Sequence, residues 1–424
     1  MKSLLNKFFF RSNNLETVSK NIRDLSLSTP IKKIFDLINN YSEESELRYV
    51  GGCIRKIINK ERVDDIDLAT NLEPYTICEL LKKNKINYYE TGISHGTITI
   101  LIDNFKFEIT SLREDISTDG RHAKVKFSKN WKEDASRRDF TINSIYSDID
   151  GNLFDPFGGK KDLEKGIINF IGEADKRIKE DYLRILRYVR FYLLYSKQPH
   201  NSSLIRKFKI NIDGVSKISK DRLLDELKKI IKSGTLEKLS KDKISLDLIQ
   251  TIFPELRNIH IFSKLKLSQK EIIKKSDLIF LISLMIIDDT DNADYFLYKF
   301  NLSKKDQIRI KLIDNFFKEK KSLKKLNEKI MNKVFYYNGK QSALDIISFK
   351  IIKSKNIDDE LFELSKIYLN KSVPTMPISA ELLMQKYKIP EGKQLGVKLK
   401  NIEEVWVDHN FQITDQQLEN ILNN

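Results

Sequence analysis

The hydrophobic and polar positions follow one period in the first 170 residues and another after them. The pattern in the first part predicts strands over 47–50, 66–68, 96–103 and 105–112. Threonine alternates with isoleucine from 97 to 100, as expected of a half-buried strand, and Asp103-Asn104 predicts a hairpin turn. Helices are predicted over 31–40 and from Glu73-Pro74, where proline suits a first turn. We therefore expect a mixed sheet with helices in this part of the chain.

Beyond Gly172 the alternating pattern gives way to a repeat of 3.6 residues, which is typical of amphipathic helices. Leucine, isoleucine and valine recur at this spacing over 183–193 and again over 223–230. The segment 373–377 contains two prolines and indicates a linker into a last module. An α/β head followed by an all-helical remainder is the expected architecture.

The charge balance favours a polyanionic partner. The 424 residues include 75 Lys and Arg against 60 Asp and Glu, a formal net charge of +15. Each cation that contacts a phosphate releases condensed counterions, which favours nucleic acid. A lysine-rich proteome gives the same excess, so charge alone leaves both interpretations open.

Neither the cysteines nor the apolar runs indicate a structural metal or a membrane span. Cys53 and Cys78 are the two cysteines and lack zinc spacing, which favours a reducing compartment. The longest apolar run, 278–287, is shorter than the roughly 20 residues that span a bilayer, and Ser276-Asp277 before it suits a helix N-cap. We expect a buried core helix there, no membrane partner and a cytoplasmic location. The basic segment 1–14 is more typical of a frayed or docked helix than of a transit sequence.

The first candidate for chemistry is a Gly-Gly turn followed by two aspartates. Gly51 and Gly52 come directly after a strand, where glycine lets backbone N–H groups approach phosphate. Asp65 and Asp67, two positions apart on a strand, point to the same face, and such a pair can bind hard divalent cations. Each element alone is usually a solvated strand or turn. Their order and spacing favour a nucleotidyltransferase.

A third carboxylate, Glu108, lies on a strand that we expect to neighbour the strand of the two aspartates. It would complete the charge balance at a metal pair. A surface glutamate is the alternative interpretation.

Two arginine-rich segments suit a nucleotide. RRDFTIN (137–143) offers bidentate phosphate contacts and ribose hydrogen bonds, although a surface salt-bridge cluster would look the same. In EDYLRILR (180–187) the spacing predicts Asp181, Arg184 and Arg187 on one helix face. An Asp/Arg pair can read the Watson–Crick edge of a base without a template. An ordinary ion pair within a helix is the alternative.

At these segments the chain resembles the family of class II tRNA nucleotidyltransferases and bacterial poly(A) polymerases, within the polymerase-β-like superfamily. GGCIR…DID is similar to the family's metal motif, RRDFTIN to its ribose motif and EDYLRILR to its nucleotide-reading motif. Residues 171–175 resemble the hinge between head and neck, and SKDRLLDE (219–226) resembles the neck helix, with Arg222 at its basic position. The PISAELL and IPEGKQLG stretches are similar to the C-terminus of bacterial CCA-adding enzymes.

The resemblance implies an α+β fold with a polymerase-β-like nucleotidyltransferase head followed by helical modules. The expected parts are an N-terminal extension (1–28), the head (29–170), a nucleotide-reading neck (171–232), a body (233–370) and a tRNA-binding tail (371–424).

The resemblance also assigns roles to individual residues. Asp65 and Asp67 would bind two Mg²⁺ ions, with Glu108 as the third catalytic carboxylate. The triphosphate would be held by Gly51, Gly52 and Arg55. The ribose would be held by Arg138, Asp139 and Asn143. Asp181 and Arg184 would pair with cytosine or adenine, and Arg187 would steady phosphate. Lys56 stands where the family usually has aspartate, and we interpret that position as support for the turn.

The choice among family members depends on a loop. Arg113, Asp115, Arg121 and His122 lie in segments that resemble the flexible loop with which CCA-adding and A-adding enzymes reshape the pocket for ATP. We expect an enzyme that adds CCA to tRNA from CTP and ATP. An A-adding enzyme or a poly(A) polymerase is the alternative, and a non-catalytic RNA-binding protein is the alternative from another class. Both aspartates of the metal motif are present, which argues against the last.

Overall fold

The computed structural model describes residues 15–118, 123–319, 326–354, 356 and 358–423. The chain divides into two compact units, Met1–Ser233 and Gly234–Asn424.

A seven-stranded mixed sheet lies at the centre of the first unit. The strands of this unit are β1 (Leu47–Val50), β2 (Ile66–Thr70), β3 (Asn87–Gly92), β4 (Thr97–Ile102), β5 (Phe105–Ser111), β6 (Arg113–Thr118), β7 (Ala123–Phe127), β8 (Tyr146–Ser147) and β9 (Leu153–Phe154). The sheet has the order β3-β4-β5-β2-β1-β8-β9, in which β2 and β5 are parallel and the other neighbours antiparallel. Strands β6 and β7 form a separate antiparallel ribbon.

The hairpin between β4 and β5 has the turn that the sequence predicts. Asp103 and Asn104 have φ angles of 47° and 65°, and Ile102 pairs with Phe105 on either side of them. Two successive residues with positive φ form the turn whose twist matches that of the flanking strands. Aspartate and asparagine tolerate this conformation better than most residues, so the prediction is confirmed.

Ten helices of the described residues belong to the first unit. They are α1 (Leu15–Ser28), α2 (Lys32–Asn39), α3 (Gly52–Ile58), α4 (Pro74–Lys83), α5 (Trp131–Ser136), α6 (Gly159–Lys165), α7 (Ala174–Glu180), α8 (Leu183–Tyr195), α9 (Ser202–Asn211) and α10 (Lys220–Lys232). Pro74 occupies the first turn of α4, as expected. Ser219 caps α10 by accepting a hydrogen bond from the backbone N–H of Arg222.

Helix α1 is bound to a turn of the head. The hydroxyl of Ser19 donates to the carbonyl of Gly151, and the guanidinium of Arg23 donates to the carbonyl of Asp150, both over 2.8 Å. Ile22 of the same helix is fully buried. Gly151 has φ +87°, and a Cβ at this position would lie 2.4 Å from the Cα of Ser19. Glycine at 151 therefore permits the close approach, and α1 is part of the fold of the head.

The second unit is helical throughout its described residues. Its helices are α11 (Leu236–Lys241), α12 (Lys243–Ile252), α13 (Leu267–Lys275), α14 (Leu278–Ile286), α15 (Asn292–Lys299), α16 (Lys304–Glu319), α17 (Glu328–Asn338), α18 (Lys340–Lys353), α19 (Asp359–Asn370), α20 (Ala380–Tyr387), α21 (Lys393–Asp408) and α22 (Asp415–Asn423). Helix α14 is the predicted core helix: Asp277 accepts a hydrogen bond from the N–H of Phe280, and the helix is almost entirely buried. None of the helices among the described residues has the length and apolarity needed to cross a membrane.

Helices α17 and α21, on either side of the proline-containing linker, share a polar contact network. Asn332 is fully buried, accepts a hydrogen bond of 2.7 Å from the Tyr368 hydroxyl and donates one of 2.8 Å to Asn410. The hydroxyl of Tyr336 donates to Glu403 over 2.8 Å. Buried amides are costly unless paired, so this network specifies how the two segments pack.

Candidate active site

The Gly-Gly turn brings helix α3 next to the strand that carries Asp67. Gly51 has φ +67° at the end of β1, and its N–H donates to the carbonyl of Ile145. A Cβ at Gly52 would lie 3.6 Å from Oδ2 of Asp67 and 3.9 Å from Nη2 of Arg55. The turn, the acid and the arginine therefore lie side by side, as their spacing in the sequence predicts.

These residues line a cleft of about 680 Å³ whose wall is dominated by cations. The cationic side chains are Arg55, Lys56, Arg113, Arg137, Arg138, Arg184, Arg187, Arg190, Arg222 and Lys229. The acidic side chains are Asp65, Asp67, Asp139 and Asp181. Ten cations against four anions create a positive potential that suits a polyphosphate.

The acidic corner of the cleft contains oxygen ligands for a hard cation. Parallel pairing of β2 and β5 places Glu108 directly beside Asp67. Burial raises the pKa of Asp67, and the negative charges of Glu108 and Asp65 raise it further, while Arg138 opposes them. A divalent cation would relieve this repulsion, and Mg²⁺ is commonly bound by one or two carboxylates together with substrate phosphates.

Glu108 differs from the two aspartates. Its carboxylate is bound by Lys106 over 2.6 Å, its side chain is 43% exposed, and it does not line the cleft. Within the described residues no three His, Cys, Asp or Glu side chains are close enough together to hold a metal. The donor set that fits a cation is therefore the pair Asp65 and Asp67.

A hydrogen-bond network joins the ribose motif to the turn and to α8. Asp139 accepts from Asn143 over 2.8 Å with one oxygen and from Arg187 over 2.6 Å with the other. Arg55 donates to the side-chain oxygen of Asn143. Burial of Asp139 opposes ionisation, yet Arg187 and Asn143 hold the pKa of its carboxyl well below the usual range. The network fixes these side chains relative to one another.

The two arginines of the ribose motif are held by Asp134, a residue that the sequence reasoning missed. Asp134 is buried and accepts from Arg137 over 2.7 Å, from Arg138 over 3.1 Å and from the Tyr146 hydroxyl over 2.7 Å. Burial works against ionisation, but Arg138 and Arg137 hold the pKa of Asp134 at about 2. The i,i+3 and i,i+4 spacing from 134 to 137 and 138 is the signal that identifies this residue.

Asp181 does not share a helix face with Arg184 and Arg187, and that prediction is wrong. Its backbone is extended (φ −156°, ψ 102°) at the junction between α7 and α8. One carboxylate oxygen accepts from the N–H of Leu183 over 3.2 Å, and the other accepts from Arg222 over 2.8 Å. The helix breaks here because these contacts hold Asp181 outside it. All three predicted residues nevertheless line the cleft.

Arg184 is fixed by the end of α7. It donates to the carbonyl of Arg177 over 2.7 Å and to the carboxylate of Glu180 over 2.9 Å. Arg177 in turn donates to the carbonyls of Arg137 and Arg138, the latter over 2.6 Å. Arg184 is thus tied through Arg177 to Arg137 and Arg138.

The far end of α8 contributes an aromatic ring and a further ion pair. The guanidinium carbons of Arg55 and Arg190 lie 4.8 and 4.2 Å from the centre of the Phe191 ring. Arg190 Nε donates to Glu226 over 2.5 Å, and the Glu226 side chain is 1% exposed. Burial lowers the pKa of Arg190, and Glu226 opposes that shift. The sequence pattern did not identify Phe191, Arg190 or Glu226 as residues of the site.

Two residues of the predicted flexible loop, Arg113 and Asp115, lie in strand β6 of the β6–β7 ribbon instead of a loop. Arg113 lines the cleft and donates to the carbonyl of His95. Arg121 and His122 lie outside the described residues, as does the side chain of Asp115.

Two family models match this chain. Residues 47–169 match the poly A polymerase head domain, and residues 204–259 match the probable RNA and SrmB-binding site of polymerase A. Together with the fold and the cleft, these matches define a nucleotidyltransferase, a class of enzymes that generally depends on metal ions.

More specific relatives extend over almost the whole chain. Mitochondrial CCA tRNA nucleotidyltransferase 1 of Homo sapiens is 32% identical over 391 residues, which cover 89% of this chain and 86% of the relative. The Bacillus stearothermophilus CCA-adding enzyme in complex with CTP aligns at a TM-score of 0.68 and 19% identity, over 93% of this chain and 97% of that one. The Thermotoga maritima CCA-adding enzyme complexed with tRNA_CCA aligns at 0.61 and 18% identity, over 97% and 98%. The chain belongs to the CCA tRNA nucleotidyltransferase family. The expected family and fold class are confirmed.

Proposed function

We propose that this protein adds CCA to the 3′ end of transfer RNA from CTP and ATP without a nucleic-acid template. The observation that carries the proposal is a single cleft in which the paired aspartates, a group of arginines and the Asp181/Arg184 pair all line the same space. The human relative supports the substrate class, and relatives of the same fold include complexes with CTP, ATP and tRNA.

The triphosphate lies at the Gly51–Gly52 turn, where the backbone N–H groups of α3 and the Arg55 guanidinium offset its charge. Arg138 and Asn143 contact the ribose. Asp139 acts by orientation, because Asn143 and Arg187 already occupy its two oxygens. Recognition of a 2′-hydroxyl by this fixed network selects ribonucleotides.

The base is read by Asp181 and Arg184, which present acceptors and donors to its Watson–Crick edge. Arg222 holds Asp181, and Glu180 holds Arg184, so neither side chain turns independently of its partner. Fixed donors and acceptors reject a mismatched base because its polar groups, or those of the protein, stay unpaired. The loop residues Arg113, Asp115, Arg121 and His122 adjust this pair when ATP replaces CTP.

The reaction joins the 3′ oxygen of the tRNA to the α-phosphorus and releases pyrophosphate. Asp65 and Asp67 would hold Mg²⁺, which would lower the pKa of the attacking hydroxyl and stabilise charge on the phosphates. Glu108 adds negative charge beside Asp67 and strengthens the attraction for a cation. Arg55 and the α3 backbone keep the triphosphate in line with the attacking oxygen.

The proposal is tested with purified protein, Mg²⁺ and three tRNA transcripts that end before CCA, after C and after CC. Each transcript receives CTP, ATP or both, and products are separated at single-nucleotide length. Addition of CCA to the shortest transcript supports the proposal. Addition of A to the CC-ended transcript alone would indicate an A-adding enzyme. Long A tails would indicate a poly(A) polymerase. Binding of tRNA without any addition would indicate a non-catalytic RNA-binding protein.

We also propose a cytoplasmic location. Both cysteines are free and buried, which suits a reducing compartment. Cell fractionation with immunoblotting tests the location, and recovery in an organelle fraction would contradict it.

A further inference from the structure

Among the cations of the cleft without an assigned role in holding the base, the ribose or the triphosphate, two pair with one buried glutamate. They are Arg190 of α8 and Lys229 of α10, and both line the same space as Gly51 and Arg55. Cations in a phosphoryl-transfer cleft that contact no assigned part of the substrate are available to bind a product.

Arg190 and Lys229 lie at the end of the cleft where the triphosphate is proposed to bind. Helix α8 rises about 1.5 Å per residue, so Arg190 lies about 9 Å along the axis from the base-reading Arg184. Arg190 shares the Phe191 ring with Arg55, which borders the phosphate-binding turn. An anion leaving the turn therefore meets Arg190 next.

Glu226 orients these two cations. Its buried carboxylate accepts a hydrogen bond from Nε of Arg190 and lies 3.8 Å from Nζ of Lys229. Within the described part of the chain, the Nη atoms of Arg190 have no hydrogen-bond partner. An arginine fixed through Nε presents its two Nη groups as a fork that matches phosphate.

The cations become more exposed with distance from the turn. Arg55 is buried, the Arg190 side chain is 13% exposed and the Lys229 side chain is 60% exposed. The series connects the phosphate cradle to solvent through positive charge at each step. A polyanion that moves along this series stays close to a positive charge at each step.

We propose that Arg190 and Lys229, oriented by Glu226, bind the pyrophosphate that each nucleotide addition releases. This inference rests on the proposed function. The bond between the 3′ oxygen and the α-phosphorus forms, and the bond from the α-phosphorus to the oxygen bridging to the β-phosphate breaks. The electron pair leaves with pyrophosphate, and the proton of the 3′ hydroxyl passes to solvent. The same two cations bind pyrophosphate when the reaction runs in reverse.

The experiment measures inhibition by inorganic pyrophosphate and the rate of pyrophosphorolysis. It uses full-length protein, a tRNA transcript lacking CCA and CTP for the forward reaction, and the CCA-ended transcript for the reverse. Lys229→Ala is the test variant, because this side chain is largely exposed and its removal leaves the core intact. Lys228→Ala is the matched control: Lys228 is adjacent on α10, pairs with Asp225 over 3.3 Å and does not line the cleft.

Lys229→Ala is expected to raise the Ki of pyrophosphate at least fivefold, well beyond any rise in KM for CTP, and to slow pyrophosphorolysis by a similar factor. An unchanged Ki, or a KM that rises as much as the Ki, would overturn the inference, since the second result makes Lys229 a ligand of the incoming triphosphate. Wild-type protein that adds no nucleotide would overturn the proposed function and this inference together. Normal CCA addition with an unchanged Ki in the variant overturns the inference alone.

Discussion

Arg222 of α10 donates a hydrogen bond of 2.8 Å to the carboxylate of Asp181, which lies at the junction of α7 and α8. The direction in which Asp181 points is therefore set by a different helix from the one that carries Arg184. Helix α10 thus controls the geometry of the proposed base-reading pair through Arg222, although neither residue of that pair lies on α10.

Replacing Arg222 by glutamine is expected to weaken the choice of CTP over UTP about tenfold. A hydrogen bond to a charged group contributes roughly 1.5–3 kcal/mol, and its loss frees Asp181 to turn. Single-nucleotide incorporation with each NTP measures the effect. Lys232→Gln, at the exposed end of α10, should leave selectivity unchanged, and equal selectivity in both variants would contradict the positioning role of Arg222.

Replacing Arg184 by alanine removes donors from the pair itself. We expect the choice of CTP and ATP over UTP and GTP to blur in the same assay, and kcat/KM for CTP to fall. Unchanged selectivity would refute the assignment of Arg184 to base reading.

The double variant Asp65→Ala, Asp67→Ala should abolish incorporation and leave tRNA binding nearly intact, because both carboxylates lie in the cleft rather than on an exposed basic surface. Incorporation is followed on sequencing gels and binding by filter retention. Asp64→Ala is the control, since Asp64 is exposed and forms an ion pair with Lys56. Incorporation retained by the double variant would disprove the metal assignment.

Asp134→Asn should remove a contribution to stability that depends on pH. The folded pKa of Asp134 is about 2 against an ordinary value of 3.8, so the carboxylate stabilises the fold above about pH 4 and loses this effect as the pH falls towards 2. The shift corresponds to about 2 kcal/mol at neutral pH. The difference in free energy of unfolding between wild type and variant, measured by urea denaturation from pH 7 to pH 3, should shrink below pH 4. A difference that is constant with pH would contradict the ion-pair argument.

Gly159→Ala should damage the ribose motif, whereas Gly158→Ala should not. A Cβ at 159 would lie 2.0 Å from the carbonyl oxygen of Thr141, so the segment that carries Asn143 must move. At Gly158 nothing lies within 4 Å, and the cost is the roughly 1–2 kcal/mol of a positive φ. We expect a higher KM for CTP in the first variant alone, and equal KM values would refute the steric argument.

Local spacing was sufficient to predict the part of the site formed by one strand, its turn and the next helix. Gly51, Gly52 and Arg55 are close in sequence, Asp67 lies on the neighbouring strand and Asp65 directly precedes that strand, so their proximity depends on one connection. The alternating pattern of polar and apolar residues also predicted long strands such as β4 and β5. The edge strands β3 and β9 and the two-residue strand β8 were missed because they are short or polar and carry little alternation.

The remaining parts of the site depend on contacts between distant segments. Arg190 meets Glu226 from another helix, and no pattern in either helix indicates the partner. The break in the helix at Asp181 has the same origin, since Arg222 holds the aspartate in extended backbone. Without that partner the spacing of EDYLRILR predicts one continuous helix, and sequence reasoning therefore placed Asp181 on the wrong element.

The buried amide of Asn332 limits which segments can be exchanged between members of this family in a chimeric protein. A chimera that takes its last module from a relative, joined within the linker over 373–377, would leave Asn332 without Asn410 and Tyr336 without Glu403 unless the donor has the same pairs. An unpaired buried amide costs roughly 1–3 kcal/mol. Helix α17 therefore has to be transplanted with α21, and the exchangeable segment is larger than the linker suggests.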